Sequence, residues 1–286
     1  MPSISVTNPE LITSIDLGTA TPKLGGTVDL NNFKILTAVE ANAQDLEGFQ
    51  NYDHLTSLTR VDLAQNKLVG DIPVFSNNPS CTSIRLNENN FDGNLPSTLP
   101  LGIKRFYAGK NNISTSSVIP NLKSYTDLVE FKIGFQSDDF GVNANATSPK
   151  RSGASALGNT ATSDPDITGS IPLSIRRFFV NGTNLSPLSK LQLLTQFYDT
   201  FKDQAANYVR VTAAADGLTY DGSTNSKTPT INVGGANETN FTGTYSDSTS
   251  LLGKHSAVTV GTAKNKLGPY NASTNPTGVG FNLVGF

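Results

Sequence analysis

The chain of 286 residues contains two histidines, His54 and His255, and one cysteine, Cys81. One cysteine excludes a disulfide within the chain, and with two histidines it supplies no His/Cys metal cluster. A Ser-His-Asp relay would need one of the histidines, yet no GxSxG elbow is present. Neither a Walker A loop nor a Rossmann fingerprint occurs. No EF-hand or nonapeptide calcium repeat is found. Two carboxylate pairs, Asp138-Asp139 and Asp164/Asp166, have the chemistry of a glycosidase acid and base. They lie in a stretch of small and polar residues, which holds two carboxyls poorly at a fixed separation. The sequence therefore assigns no catalytic residue, cofactor or metal.

Recognition chemistry is better represented. Arg85, Tyr107, Lys132 and Phe179 recur at one phase of a repeat, and Arg105 and Arg177 lie two residues before Tyr107 and Phe179. Arginine and tyrosine are favoured interface anchors. Such spacing brings them together only if a repeated element stacks on itself.

That element is visible between residues 55 and 96. Residues 55–73 place apolar side chains at Leu58, Val61, Leu63 and Leu68, with Asn66, Gly70, Ile72 and Pro73 completing the unit. Cys81, Ile84, Leu86, Asn89, Phe91, Gly93, Leu95 and Pro96 repeat it 23 residues later. Ile103, Phe106, Ala108, Asn111 and Ile113 follow. Earlier units begin at Ile12 and at Leu36, and later ones at Leu128 and Leu173. Seven strand-like units result, at 22–25-residue spacing apart from one insertion at about 137–165. Each predicts a short parallel strand with its apolar residues turned inward. Asn66, Asn89 and Asn111 form a column whose amides would satisfy backbone groups buried by the coil. Gln44, Gln136 and Thr183 hold that column in other units and predict a weaker ladder there.

The recurring pattern resembles the leucine-rich-repeat family, with its LxxLxLxxNxLxGxIP consensus, and its LxGxIP ending is similar to the plant-type subclass. The resemblance covers roughly residues 11–187. It implies a solenoid with capped ends that binds on extended surfaces.

Within such a coil, residues between the inward positions would line a concave face. One column reads Asp16, Glu40, Asp62, Arg85, Tyr107, Lys132 and Phe179, and the other Ser14, Ala38, Arg60, Ser83, Arg105, Glu130 and Arg177. The face is acidic at its start and basic-aromatic towards its end. As a ligand surface it would centre on Arg85, Arg105, Tyr107, Lys132, Arg177 and Phe179. As a plain strand face it would pair charges between neighbours, for instance Arg60 with Glu40 or Asp62.

Residues 1–10 are expected to form an N-terminal cap or arm, and 11–187 the solenoid. Residues 188–207 carry apolar side chains at helical spacing and predict a helix capping the last unit. Residues 208–286 hold short strand-like runs between turns, either a small β domain or an arm ordered by partner chains. Apolar content is 36%, charged content 15%, and net charge −2. This leaves no global field for nucleic acid. The start lacks the marks of a signal peptide, and no apolar run approaches the ~18–20 residues of a membrane span. Seven N-x-S/T sequons, at Asn112, Asn145, Asn181, Asn184, Asn237, Asn240 and Asn271, match what the Asn, Ser and Thr content produces by chance.

The expected function is structural or adhesive rather than enzymatic. The texture is similar to leucine-rich-repeat virion proteins of bacteriophages. This implies a head decoration, fibre or tail-associated protein, located in the virion. Its partners would be capsid or tail proteins, its own copies, or a host-surface glycan or protein. A secreted adhesin or receptor module is the alternative, and a polysaccharide-active enzyme a distant third.

Overall fold

The architecture comes from a computed structural model that describes residues 7–113, 117–134, 154–157, 171–180, 200, 230–232 and 282–284. A one-turn 3-10 helix, Pro9–Leu11, precedes the strands. In chain order these are β1 (Ser14–Asp16), β2 (Gly26–Asp29), β3 (Ala38–Glu40), β4 (Leu46–Gln50), β5 (Arg60–Asp62), β6 (Val69–Gly70), β7 (Ser83–Arg85), β8 (Asn90–Phe91), β9 (Arg105–Tyr107), β10 (Ser117–Ile119), β11 (Glu130–Lys132), β12 (Ala154–Leu157), β13 (Arg177–Phe179), β14 (Thr230–Asn232) and β15 (Asn282–Val284).

The fold is a parallel-strand β-solenoid. Its main sheet runs β1-β3-β5-β7-β9-β11-β13-β14-β15, all parallel. Register is constant along it: Ile15, Val39, Val61, Ile84, Phe106, Phe131 and Phe178 face one another in sequence. Short parallel pairs, β2-β4, β6-β8 and β10-β12, form after the turns that follow the main strands.

The inward residues are those the period picks out. Leu36, Leu58, Cys81, Ile103, Leu128 and Ile175 form one buried column, and Ala41, Leu63, Leu86, Ala108, Ile133 and Val180 another. Between them Phe106, Phe131 and Phe178 stack, with ring centroids 5.6 and 5.4 Å apart. A further corner packs Phe49, Tyr52 and Phe75. Burying an aliphatic side chain of this size contributes about 1.5–3 kcal/mol. A lone coil has no neighbour to supply that burial, so the columns form only by stacking.

Polar ladders run beside the apolar ones. Asn66 Oδ1 accepts from the backbone N–H of Gln44 and of Leu46, both at 3.0 Å, and its Nδ2 donates to the carbonyls of Ala41, Leu63 and Ala64. Asn89 and Asn111 repeat this arrangement one and two coils later. Gln44 takes part more thinly, accepting the Leu24 N–H at 3.3 Å. Gln136 and Thr183 lie outside the described residues. A residue in left-handed backbone precedes each ladder member: Ala43 at φ 57°, Gln65 at 59°, Glu88 at 59° and Lys110 at 54°. This sharp turn aims the amide back under the coil.

Three differences from the sequence reading stand out. The insertion at about 137–165, in which the sequence shows no apolar period, contributes β12, which pairs in parallel with β10. Its small residues, Ala154-Ser155-Ala156, lack the large apolar side chains that mark a strand in sequence. Second, two runs from 208–286 add strands to the solenoid's own sheet: β14 pairs with β13 and β15 with β14. Main-sheet strands start 22 to 25 residues apart as far as β11, but 47, 53 and 52 apart thereafter. That lengthening hides the period from a sequence scan. Third, Leu11 at the start of the solenoid is 66% exposed, and Ile12, Ile15 and Leu17 are only half-buried. The helix expected over 188–207 falls, Thr200 apart, outside the described residues, as do residues 1–6 of the N-terminal cap.

Candidate functional site

The strands of the main sheet are three residues long, so each offers an outward first and third residue around an inward second one. Constant register turns these into two columns. Arg85, Tyr107, Lys132 and Phe179 are consecutive in one, and Arg105, Glu130 and Arg177 in the other. All six residues singled out in the sequence therefore sit in one contiguous block of β7, β9, β11 and β13.

Their contacts form a connected charge lattice. Arg60 Nε lies 3.3 Å from Glu40, and its guanidinium reaches Asp62 at 3.9 Å. Arg85 contacts the same Asp62 at 3.6 Å. Beyond it, the Arg85 guanidinium carbon stands 5.4 Å from the centroid of the Tyr107 ring. Lys132 Nζ is 4.8 Å from the Tyr107 centroid and 5.2 Å from that of Phe179. Tyr107 donates its hydroxyl proton to Glu130 at 2.5 Å. Glu130 also takes Lys132 at 3.1 Å and Arg105 at 3.9 Å. Both the paired-charge reading and the clustered-anchor reading of this face thus have counterparts in the geometry.

The lattice changes character along its length. At the start Arg60 and Glu40 are half-exposed, where an ion pair contributes at most about 1 kcal/mol. Towards the end Glu130 is 0% exposed, and Lys132, Phe179, Tyr107 and Arg177 are all buried. The face is thus open to water at its start and closed towards its end. Alternation along a strand specifies which side a residue takes, but not whether that side meets water. Burying these groups costs several kcal/mol per ion unless charge and hydrogen bonds answer it, and the three contacts converging on Glu130, from Tyr107, Lys132 and Arg105, do so. Burial, the Glu130 charge and the hydrogen bond to it all push the Tyr107 hydroxyl far above its ordinary range, against the smaller pull of Arg85 and Arg105. It therefore acts as a fixed donor and not as an acid.

Some functional polar residues were missed by the sequence reading. Thr37, Thr59 and Thr82, each immediately before a main strand, donate Oγ1 to the carbonyls of Thr13, Thr37 and Thr59 in the preceding coil. Their recurrence at 22 and 23 residues was the available signal. Asn78 is fully buried and donates to the carbonyls of Tyr52 and Leu55, tying a different corner. Glu130 lay in the face columns, but nothing in its spacing marks it as the hub.

The catalytic candidates separate differently. His54 places Nε2 2.7 Å from the Phe33 carbonyl, a bond between coils. Cys81 is buried in its apolar column, which pushes its thiol up to about 12. Asp138, Asp139, Asp164, Asp166 and His255 fall outside the described residues. Among the described residues, no group of three or more His, Cys, Asp or Glu side chains is arranged to hold a metal ion, and no helix is long and apolar enough to cross a membrane.

No family model, curated protein or solved structure matches the chain.

Proposed function

We propose that this chain is a non-enzymatic binding and assembly protein, and that it serves as a component of a bacteriophage virion, as a head decoration, fibre or tail-associated protein. The observation that carries the binding role is the partly exposed run of Glu40, Arg60, Arg85 and Arg105 on a frame held by asparagine and threonine ladders. The strands of the main sheet share one register, and side-chain amides and hydroxyls tie successive coils together as far as Asn111. A surface preorganised in this way loses little conformational entropy when a partner docks, so more of the contact energy appears as affinity. In a particle, many copies would multiply weak individual contacts. The virion assignment rests on the resemblance of the repeat. Mass spectrometry of purified particles tests it: the chain is expected at stoichiometric abundance, and absence from particles refutes it.

A second reading, a recognition module for a host-surface glycan or protein, is favoured by Arg85 and Arg105, neighbouring cations that stay partly exposed beside the buried Tyr107 and Glu130. Glycan arrays and host-cell binding with the full chain test it, with Arg105→Glu expected to abolish capture. The polysaccharide-active reading would be revived only by sugar release that Asp138→Asn or Asp139→Asn eliminates.

A further inference from the structure

We propose that the outer edge of β1 is a docking site for an extended segment of another protein, rich in lysine or arginine, which adds to the main sheet as one more strand. This names a partner chemistry for the binding and assembly reading above and rests on it. Among the described residues, β1 ends the main sheet, with β3 as its one neighbour. In later coils the first and third residues of a main strand turn their backbone groups to the coil before. The Arg60 N–H donates to the Thr37 carbonyl at 3.2 Å, and the Glu40 carbonyl accepts the Leu17 N–H at 2.6 Å. The matching groups of β1 belong to Ser14 and Asp16, and among the described residues no earlier coil stands opposite them. Thr13 ends the hydroxyl ladder in the same way: its carbonyl takes the Thr37 hydroxyl, and its own side chain is exposed. Such an edge is a template for an added strand. Apolar columns lie open beside it. Leu36, Val39 and Ala41 are 0% exposed, whereas Ile12, Ile15 and Leu17, which begin the same columns, are only partly covered, and Leu11 is 66% exposed.

Charge selects the occupant. Carboxylates further along the face have cations beside them: Glu40 has Arg60, Asp62 has Arg60 and Arg85, and Glu130 has Arg105 and Lys132. Asp16 heads the column that continues with Glu40 and Asp62. It is exposed, and among the described residues its carboxylate accepts one hydrogen bond, from the Gly18 N–H at 3.1 Å. Glu10 and Asp29 of the same coil are exposed as well, and Lys23 of that coil is turned to Asp45 of the second. Residues 7–53 hold seven acidic and two basic residues, a net of −5, or −3 once Arg60 and Lys67, which reach back to Glu40 and Asp45, are counted. A strand carrying cations answers this charge, whereas a second copy docked by the same edge would oppose it. In a segment that alternates a cation with a β-branched residue, the apolar side chains fall on the face of Ile15 and the cations on that of Asp16.

A fluorescent peptide of alternating lysine and valine, titrated with the full chain and followed by anisotropy, tests the proposal. Expected is binding that weakens as salt screens it, with hydrogen exchange slowed at the Ser14 and Asp16 amides. The same peptide with an N-methylated backbone keeps the charge but cannot pair. A peptide alternating glutamate and valine can pair but carries the wrong charge. Each should bind more weakly by at least about tenfold, or about 1.4 kcal/mol. Combining Glu10→Lys with Asp16→Lys, both at exposed positions, should weaken the lysine peptide by at least the same factor, with the melting temperature showing that the variant is folded. No binding, equal binding of the N-methylated peptide, or protection only at amides remote from β1 would overturn the proposal. So would a chain that binds the peptide only after residues 1–6 are deleted, since its own terminus would then be the occupant. A chain that sediments as a dimer and binds only on dissociation would likewise replace the partner by a second copy. Peptide binding by a chain absent from purified particles would keep this edge and remove the virion assignment alone. A chain present in particles that leaves the peptide free would remove the edge alone.

Discussion

Replacing Asn66 by leucine isolates the contribution of one rung of the amide ladder. Leucine keeps the branched, four-atom side-chain skeleton, so the substitution removes polarity without opening a large cavity. Asn66 Oδ1 accepts from two buried N–H groups, those of Gln44 and Leu46, at 3.0 Å each. Both donors would be stranded inside the coil. The carbonyls that Asn66 serves fare unequally. Leu63 O keeps the Asn89 amide at 2.9 Å, and Ala64 O keeps the Ala43 N–H at 2.9 Å, while Ala41 O loses a bond of 2.8 Å. A stranded buried donor costs about 1–3 kcal/mol and a lost neutral hydrogen bond about 1 kcal/mol net. Asn66→Leu is therefore expected to destabilise the solenoid by about 3–5 kcal/mol, a large part of a domain's usual 5–15 kcal/mol. For a chain of this size that lowers the melting temperature by about 6–20 °C. Gln44→Leu is the internal control. Gln44 accepts one bond, of 3.3 Å, so its loss should cost about 1–2 kcal/mol. Thermal melting and urea titration measure the totals, and hydrogen exchange locates them, with protection lost first at the Gln44 and Leu46 amides. Equal melting temperatures for Asn66→Leu and the wild type, or intact protection at those two amides, would refute the ladder as a source of stability.

Ala43 sits at φ 57°, a conformation that costs an L-residue about 1–2 kcal/mol. Ala43→Gly should thus raise stability by about 0.5–1 kcal/mol, net of glycine's entropy in the unfolded chain, read as a higher urea midpoint. Tyr107→Phe removes the hydroxyl donated to buried Glu130 and should cost about 1.5–3 kcal/mol, with a smaller loss when Glu130→Gln is already present, as a double-mutant cycle would show. Hydrogen bonds from Asn51, Asn31 and Gln50 hold the exposed Asp29 carboxyl below its usual 3.8. Its stabilising effect is accordingly present above pH 3.8 and lost as pH falls through the lower folded value. Melting temperature against pH should therefore drop less steeply below pH 4 for Asp29→Asn than for the wild type, by the linkage of pKa to stability.

Repetition made much of the frame legible. A coil is a local unit, so the residues that make one strand and one turn recur at nearly one spacing wherever a coil forms. Leu58, Val61 and Leu63 reveal their roles because Cys81, Ile84 and Leu86 repeat them, and Asn66 because Asn89 and Asn111 do. The threonine ladder was legible by the same logic but is less conspicuous, since Thr is frequent throughout this chain. Asn78 tied a corner that no recurring asparagine marks. Where the spacing doubled after β11, periodicity lost its purchase, and β12, β14 and β15 emerged only from pairing.

By itself, then, the sequence determined the inward columns, the strand positions up to Phe179 and the amide ladder, because each depends on contacts one repeat away. Only the tertiary structure decided that the face opens to solvent at Glu40 and Arg60 but closes over Glu130 and Lys132, and that strands from the last quarter of the chain join the same sheet. Those outcomes depend on segments far apart in the chain meeting in space, and no local period encodes how they meet.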